Sequence, residues 1–222
     1  MFMMYYVTHN KLFFSLKQHI GNDDAHSFGG KEILFFDFLK HRCYNVFMER
    51  NVSNLVLIGM PASGKSTVGV LAAKTLGLGF IDGDLMIQAH EKCLLSQLIE
   101  RVGIDGFIAI ENEINASVCA ERCVISPGGS VIYGEEAMAH LREIGYVVYL
   151  RLSYEEIARR LGDIILDRGV IIRRGKSLAD LYDERVPLYE KYADCVLDCD
   201  GNGIEETVHA VCSVAKGHLW LL

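Results

Sequence analysis

Gly59-Met60-Pro61-Ala62-Ser63-Gly64-Lys65-Ser66 fits the pattern G-x₄-G-K-[ST] in full. The chemistry of such a loop is phosphate binding. Its backbone N–H groups converge on an anion, and the dipole of the helix that follows adds to the attraction. The Lys65 ammonium reaches the outer phosphates, and the Ser66 hydroxyl suits a Mg²⁺ ion. Gly59, Pro61, Ala62, Ser63, Gly64, Lys65, Ser66 and Thr67 are therefore the candidate nucleotide-binding residues. Phosphate loops serve GTPases, ATPase motors and small-molecule kinases alike. The short stretch from Asn51 onward, without a guanine-reading Asn-Lys-x-Asp, favours the small kinases.

Other candidates lie further along. Asp82 and Asp84 stand two residues apart after a short apolar run. At the C-terminal end of a strand, where α/β sheets place their ligands, both carboxylates can enter a cleft. Gly128-Gly129 after Pro127 allows close approach of backbone to a ligand. Arg159, Arg160, Arg168, Arg173 and Arg174 concentrate positive charge in a loop-like stretch, which suits a cover for a triphosphate.

Positioning these residues takes a regular scaffold. Leu55–Ile58 is a continuous apolar run, as in a strand buried on both faces. Strands are expected also at Gly79–Asp82, Cys123–Ser126, Gly145–Leu150 and Cys195–Asp198. Helices are expected over Lys65–Leu76, Leu85–Val102, Asp105–Ala120, Glu135–Glu143, Ser153–Leu161, Ser177–Tyr192 and Gly203–Lys216. Strands alternating with helices predict a three-layer α/β fold around a parallel sheet.

Composition narrows the class. The 222 residues suffice for one full-sized domain, and no apolar run is long enough to span a membrane. The formal charge of −7 gives no general basic field for gripping nucleic acid. Seven cysteines, an odd number without zinc-type spacing, read as ordinary buried thiols in a reducing cytoplasm. Residues 1–47 differ from the rest: they hold eight of the ten phenylalanines and show no sustained period. This extension reads as a docking appendage, an organellar presequence, or the product of a misassigned start, with the native chain beginning at Met48. Its acidic residues Asp23, Asp24, Glu32 and Asp37 argue against a presequence. The kinase-like domain is then 48–222.

From about Val52 to Ala215 the chain resembles the shikimate kinase family. The resemblance rests on four motifs in order: the phosphate loop, Asp82-Gly83-Asp84, Ser126-Pro127-Gly128-Gly129-Ser130, and Arg185-Val186-Pro187-Leu188-Tyr189 followed by Tyr192-Ala193-Asp194. It implies a five-stranded parallel sheet of order 2-3-1-4-5, with helices on both faces and a mobile lid between the last two strands. It implies phosphorylation of shikimate by ATP with Mg²⁺, a step of aromatic amino-acid biosynthesis. The expected partner is a small-molecule substrate, with no nucleic acid and no membrane, and the expected state is a cytoplasmic monomer. By the same resemblance Asp82 and Ser66 hold Mg²⁺, while Asp84 binds the acceptor hydroxyl and takes its proton. Arg160 flanks the adenine, Arg168 reaches the transferred phosphoryl group, and Gly128, Gly129 and Arg185 meet the acceptor.

Three motifs depart from the family pattern. Pro127 replaces the first of three glycines, which removes an N–H donor and stiffens the loop. Arg168-Gly169-Val170-Ile171 stands where Arg-Pro-Leu-Leu is usual. The family's Phe-Arg-x-x-Glu reads Phe107-Ile108-Ala109-Ile110-Glu111. One of two arginines that clamp the acceptor carboxylate is thus Ile108, and its partner survives as Glu111. Losing one charge-assisted contact costs about 1.5–3 kcal/mol, or roughly 10- to 150-fold in affinity. An unpaired Glu111 in the cleft would repel an anion and welcome an ammonium. An alternative acceptor is therefore an amino-bearing hydroxy acid such as homoserine, with Arg185 on its carboxylate and Glu111 on its amine. A non-catalytic nucleotide-binding module is the alternative of another class, against which Lys65, Ser66, Asp82 and Asp84 argue together.

Overall fold

Asn54–Ile58 forms strand β1, and all five of its residues are buried. A strand so apolar must lie at the centre of a sheet covered on both faces. It does: the sheet is parallel, with order β2-β3-β1-β4-β5. The other strands are β2 (Gly79–Asp82), β3 (Cys123–Ser126), β4 (Gly145–Arg151) and β5 (Cys195–Asp198). Leu55 sits opposite Val124 on one side and Tyr146 on the other. The edge strands β2 and β5 are only partly buried.

The helices are α1 (Lys65–Leu76), α2 (Gly83–Glu91), α3 (Leu95–Ala116), α4 (Glu135–Ile144), α5 (Tyr154–Leu161), α6 (Leu178–Tyr192) and α7 (Ile204–His218). A computed structural model describes residues 52–162 and 175–219, which fall in one compact unit, Arg50–Leu222. The extension 1–47 and the arginines Arg168, Arg173 and Arg174 lie outside the described residues.

Two polar anchors, a buried asparagine and a partly buried aspartate, hold the sheet together. Asn54 donates to Ala120 O (2.6 Å) and Ile144 O (2.9 Å) and accepts from Cys123 N (3.0 Å). It thereby ties the starts of β3 and β4 to β1. Asp194 Oδ2 accepts from Val147 N at 2.9 Å and fixes the end of α6 against β4. The main core lies around β1, β3 and β4. A smaller one, Ile87, Leu98, Phe107 and Ile114, joins α2 to α3.

The region after β2 differs from the sequence expectation. Instead of one helix over Leu85–Val102, α2 ends at Glu91 and α3 starts at Leu95. Lys92 caps α2 in the left-handed conformation (φ 55°), a break that neither glycine nor proline announces. The Gln97 side chain then accepts from Leu94 N at 3.1 Å and opens α3. α3 runs on to Ala116, through Gly103 at φ 72°, ψ 177°, a kink conformation open essentially to glycine alone.

The cysteines also need correction. Among the described residues six are free, as expected, but only Cys199 and Cys212 are fully buried and Cys119 is exposed. Also among the described residues, no helix is long and apolar enough to cross a membrane.

Candidate active site

The C-terminal ends of β1, β2 and β3 open on a cavity of about 280 Å³. Its wall includes Pro61, Ala62, Gly64, Lys65, Ser66 and Thr67 from the phosphate loop, Asp84 from α2, Pro127, Gly128, Gly129 and Ser130 after β3, and Arg185 from α6. Motifs more than half the chain apart therefore meet in one space.

At the nucleotide end the loop is self-supporting. Lys65 is buried, and its Nζ donates to Gly59 O (2.9 Å) and Met60 O (3.0 Å). Burial lowers its pKa to about 8; the Asp84 carboxylate is the chief opposing influence. Ala62 takes φ 64° at the turn of the loop. Ser66 Oγ lies 3.4 Å from Ser126 Oγ at the end of β3. Arg160 of α5 reaches over the same loop: its Nε donates to Glu156 (2.6 Å) and its Nη1 to Ala62 O (3.4 Å). Gly59, Ser63, Asp82 and Arg160 support this end without lining the cavity.

The two aspartates divide their labour. Asp82 caps α2, its Oδ1 accepting from Asp84 N (3.0 Å) and Leu85 N (3.2 Å). An Asp directly before a helix is a strong N-cap signal, so this role was open to sequence reasoning and was missed. Asp84, in the first turn, lines the cavity. Burial raises its pKa and the Asp82 carboxylate adds to the rise, while the Lys65 charge opposes both.

The acceptor end is built differently. Glu111 on α3 is 1% exposed, and neither of its carboxylate oxygens has a hydrogen-bond partner. A Cβ at position 128 would lie 2.4 Å from Glu111 Oε1 and 2.7 Å from Asp84 Oδ1. The two carboxylates thus flank Gly128, and a larger residue there would have to push one of them aside. Burial pushes the Glu111 carboxyl up to about 7. The Ser130 hydroxyl, close by without completing a hydrogen bond, opposes the rise, as do Arg185 and Lys65; Asp84 reinforces it. Glu111 stands behind the Gly128 wall and is not itself a lining residue. Ile108, one turn earlier, is half-buried and does not line the cavity either.

Arg185 is 1% exposed along its length yet meets the cavity, its Nη1 3.3 Å from where a Cβ of Gly129 would be. Its Nε donates to Tyr133 OH at 3.2 Å. Tyr189 OH donates to Gly129 O at 2.6 Å and fixes the loop opposite. Sequence reasoning missed Tyr133 and Leu95 at this end, and it named Phe107 and Ser130 within motifs without giving either a place on the wall. Tyr133 sits in a short 3₁₀ turn, Val131–Tyr133, with no motif of its own.

Residues 61–216 match the shikimate kinase family model. The chain belongs to the shikimate kinase family. The shikimate kinase of Geobacter metallireducens is 34% identical over 170 residues, covering 75% of this chain and 94% of its own. Shikimate kinase 2 of Yersinia enterocolitica is 32% identical, covering 65% and 85%. Among solved structures, shikimate kinase from Aquifex aeolicus matches with a TM-score of 0.63 at 30% identity, over 74% of this chain and 96% of that one. Shikimate kinase from Acinetobacter baumannii in complex with shikimate matches with a TM-score of 0.67 over 76% and 95%. At 24% identity that likeness speaks for the fold. Membership of the shikimate kinase family makes the chain a small-molecule kinase that phosphorylates a hydroxyl group, and it implies ATP as the donor.

Proposed function

We propose that this chain transfers the terminal phosphoryl group of ATP to a hydroxyl of shikimate, and that residues 48–222 carry the whole activity. The observation that carries the reading is the convergence of Lys65, Asp84 and Arg185 on one cavity within a shikimate kinase fold. The phosphate loop and Lys65 bind and neutralise the phosphates. Asp84, its basicity raised by burial, accepts the hydroxyl proton, and Arg185 receives the carboxylate. The site contributes alignment and charge stabilisation for in-line transfer rather than covalent chemistry.

The residues present fit a Mg²⁺ ion. Ser66 supplies a hydroxyl, and Asp82, which spends Oδ1 on the helix cap, keeps Oδ2 for an ion or its hydration shell. These are the hard oxygen donors the ion prefers. Bound there, Mg²⁺ would supply charge neutralisation and orientation of the phosphates. Arg160 is assigned to the adenine side and Arg168 to the transferred phosphoryl group. A cytoplasmic monomer is part of the same proposal.

A second reading, an amino-bearing hydroxy acid as acceptor, draws on the partnerless Glu111. The burial of Glu111 behind Gly128 weighs against it, since the carboxylate does not line the cavity in which an ammonium would sit. ADP release by the purified chain with shikimate and with homoserine separates the two. Shikimate-dependent release is expected; release with homoserine alone would overturn the proposal.

A further inference from the structure

Among the described residues Arg185 is the one cation on the wall of the cavity's acceptor end. A guanidinium grips a carboxylate through a pair of parallel N–H groups, either Nε with one Nη or the two Nη together. Here the first option is closed, because Nε donates to Tyr133 OH at 3.2 Å. The Tyr133 hydroxyl in turn donates to Glu184 Oε1 at 2.7 Å, so the phenol's direction is set. Glu184 is itself paired with Lys176 just before α6. The Tyr133 ring also lies against the guanidinium, 5.2 Å from Cζ to the centroid. At the other end of the group, Nη2 is buried and has no hydrogen-bond partner in the protein. A buried guanidinium donor left unmatched is costly, and such a cost is recovered when a ligand supplies the acceptor.

We infer that Tyr133, oriented by Glu184, is a positioning residue that turns the Nη1/Nη2 end of Arg185 toward the acceptor and so fixes how this enzyme grips a carboxylate. Preorganising the single arginine lowers the ordering cost of binding and offsets in part the arm lost at Ile108. The inference rests on the proposed function, because the carboxylate it concerns is that of the acceptor.

The test is Tyr133→Phe in the full chain, with KM measured for shikimate and for ATP. The ring and its packing stay, and only the hydroxyl goes. KM for shikimate should rise about 2- to 12-fold, the worth of one hydrogen bond, while kcat and KM for ATP stay within about 2-fold. Glu184→Gln keeps the tyrosine but weakens its acceptor, and should raise KM for shikimate less, in the same direction. The double variant should fall short of the product of the two, as expected of residues acting in one chain. An unchanged KM for shikimate in Tyr133→Phe overturns the inference. So does a joint rise of both KM values with a lowered melting temperature, which would make Tyr133 a structural residue only. A wild-type chain that phosphorylates no shikimate overturns the proposed function and this inference together, and is distinguished by the wild-type control.

Discussion

The two ends of the cavity satisfy their polar groups in opposite ways. At the nucleotide end the Lys65 ammonium is tied to the carbonyls of Gly59 and Met60, and Asp82 closes on the first N–H groups of α2. At the acceptor end Glu111 Oε1, Glu111 Oε2 and Arg185 Nη2 are buried without partners. The Lys65 and Asp82 contacts are already made in the free protein, and only the Ser63 hydroxyl of that loop is left buried without a partner among the loop's described side chains. The second leaves charged groups buried and unmatched, of which Arg185 meets the cavity while Glu111 stays behind Gly128, so an acceptor that offers Arg185 a carboxylate is favoured over one that does not. General phosphate chemistry and acceptor choice are thus physically separate in one small site.

The largest effect should come from breaking the nucleotide end. Lys65→Ala removes the charge that meets the phosphates as the reaction proceeds. Removal of a preorganised electrostatic donor costs on the order of 10²–10³-fold in kcat, and turnover with any acceptor should be lost at that scale or beyond. The fold should survive, because burial already lowers the Lys65 pKa and, among the described residues, no other side chain depends on it for a hydrogen bond. Circular dichroism with a coupled assay reads both outcomes. Near-normal turnover in a folded variant would refute the kinase mechanism.

How legible each end was in the sequence follows from the same contrast. The phosphate loop is contiguous, so its eight residues declare their chemistry together, and β1, α1 and β2–β3 flank it as periodicity predicts. The acceptor end is assembled from α2, α3, the loop after β3 and α6, whose side chains meet only in the folded chain. Arg185 was visible through its motif, whereas Tyr133 has no local signature. The α2–α3 break escaped notice because Lys92, an ordinary helix former, takes the left-handed cap. Glu111 was legible as an orphaned partner of a missing arginine. Its burial was not, since it depends on the close approach of Gly128.

Ile108→Arg sharpens the comparison by giving the acceptor end a second cation. Position 108 lies three residues before Glu111 on α3, a spacing at which helical side chains meet. The new guanidinium should pair with Glu111 and lend an arm to the acceptor carboxylate. KM for shikimate should fall, by up to about 10- to 150-fold where the geometry is right. Initial-rate kinetics with varied shikimate at saturating ATP measure it. A rise in KM would mean that Ile108 packs against the substrate or its wall and that a charge there is harmful.

The smallest effect is expected from Glu111→Gln, and it separates a neutral Glu111 from an ionised one. The folded-state pKa of about 7 lies above the ordinary carboxyl value of 4.5. Between those values the folded chain holds a proton that the unfolded chain has released. The stability Glu111 confers is therefore fully present below about 4.5, falls as pH rises, and is lost once pH passes about 7. At roughly 1.4 kcal/mol for each pH unit, the full loss is on the order of 3 kcal/mol. Gln cannot ionise, so Glu111→Gln should melt roughly 6–12 °C above wild type at pH 8, with the gap closing toward pH 4.5. Shikimate kcat/KM should change by only a few-fold, or improve where a residual like charge is removed. Thermal melts across pH 4.5–8.5 and steady-state rates at pH 7 test both parts. A melting gap that is the same at every pH would show that Glu111 has no raised pKa in the folded chain. A heavy loss of shikimate turnover would show instead that the Glu111 carboxylate itself acts on the acceptor, and that the Gly128 wall does not hide it.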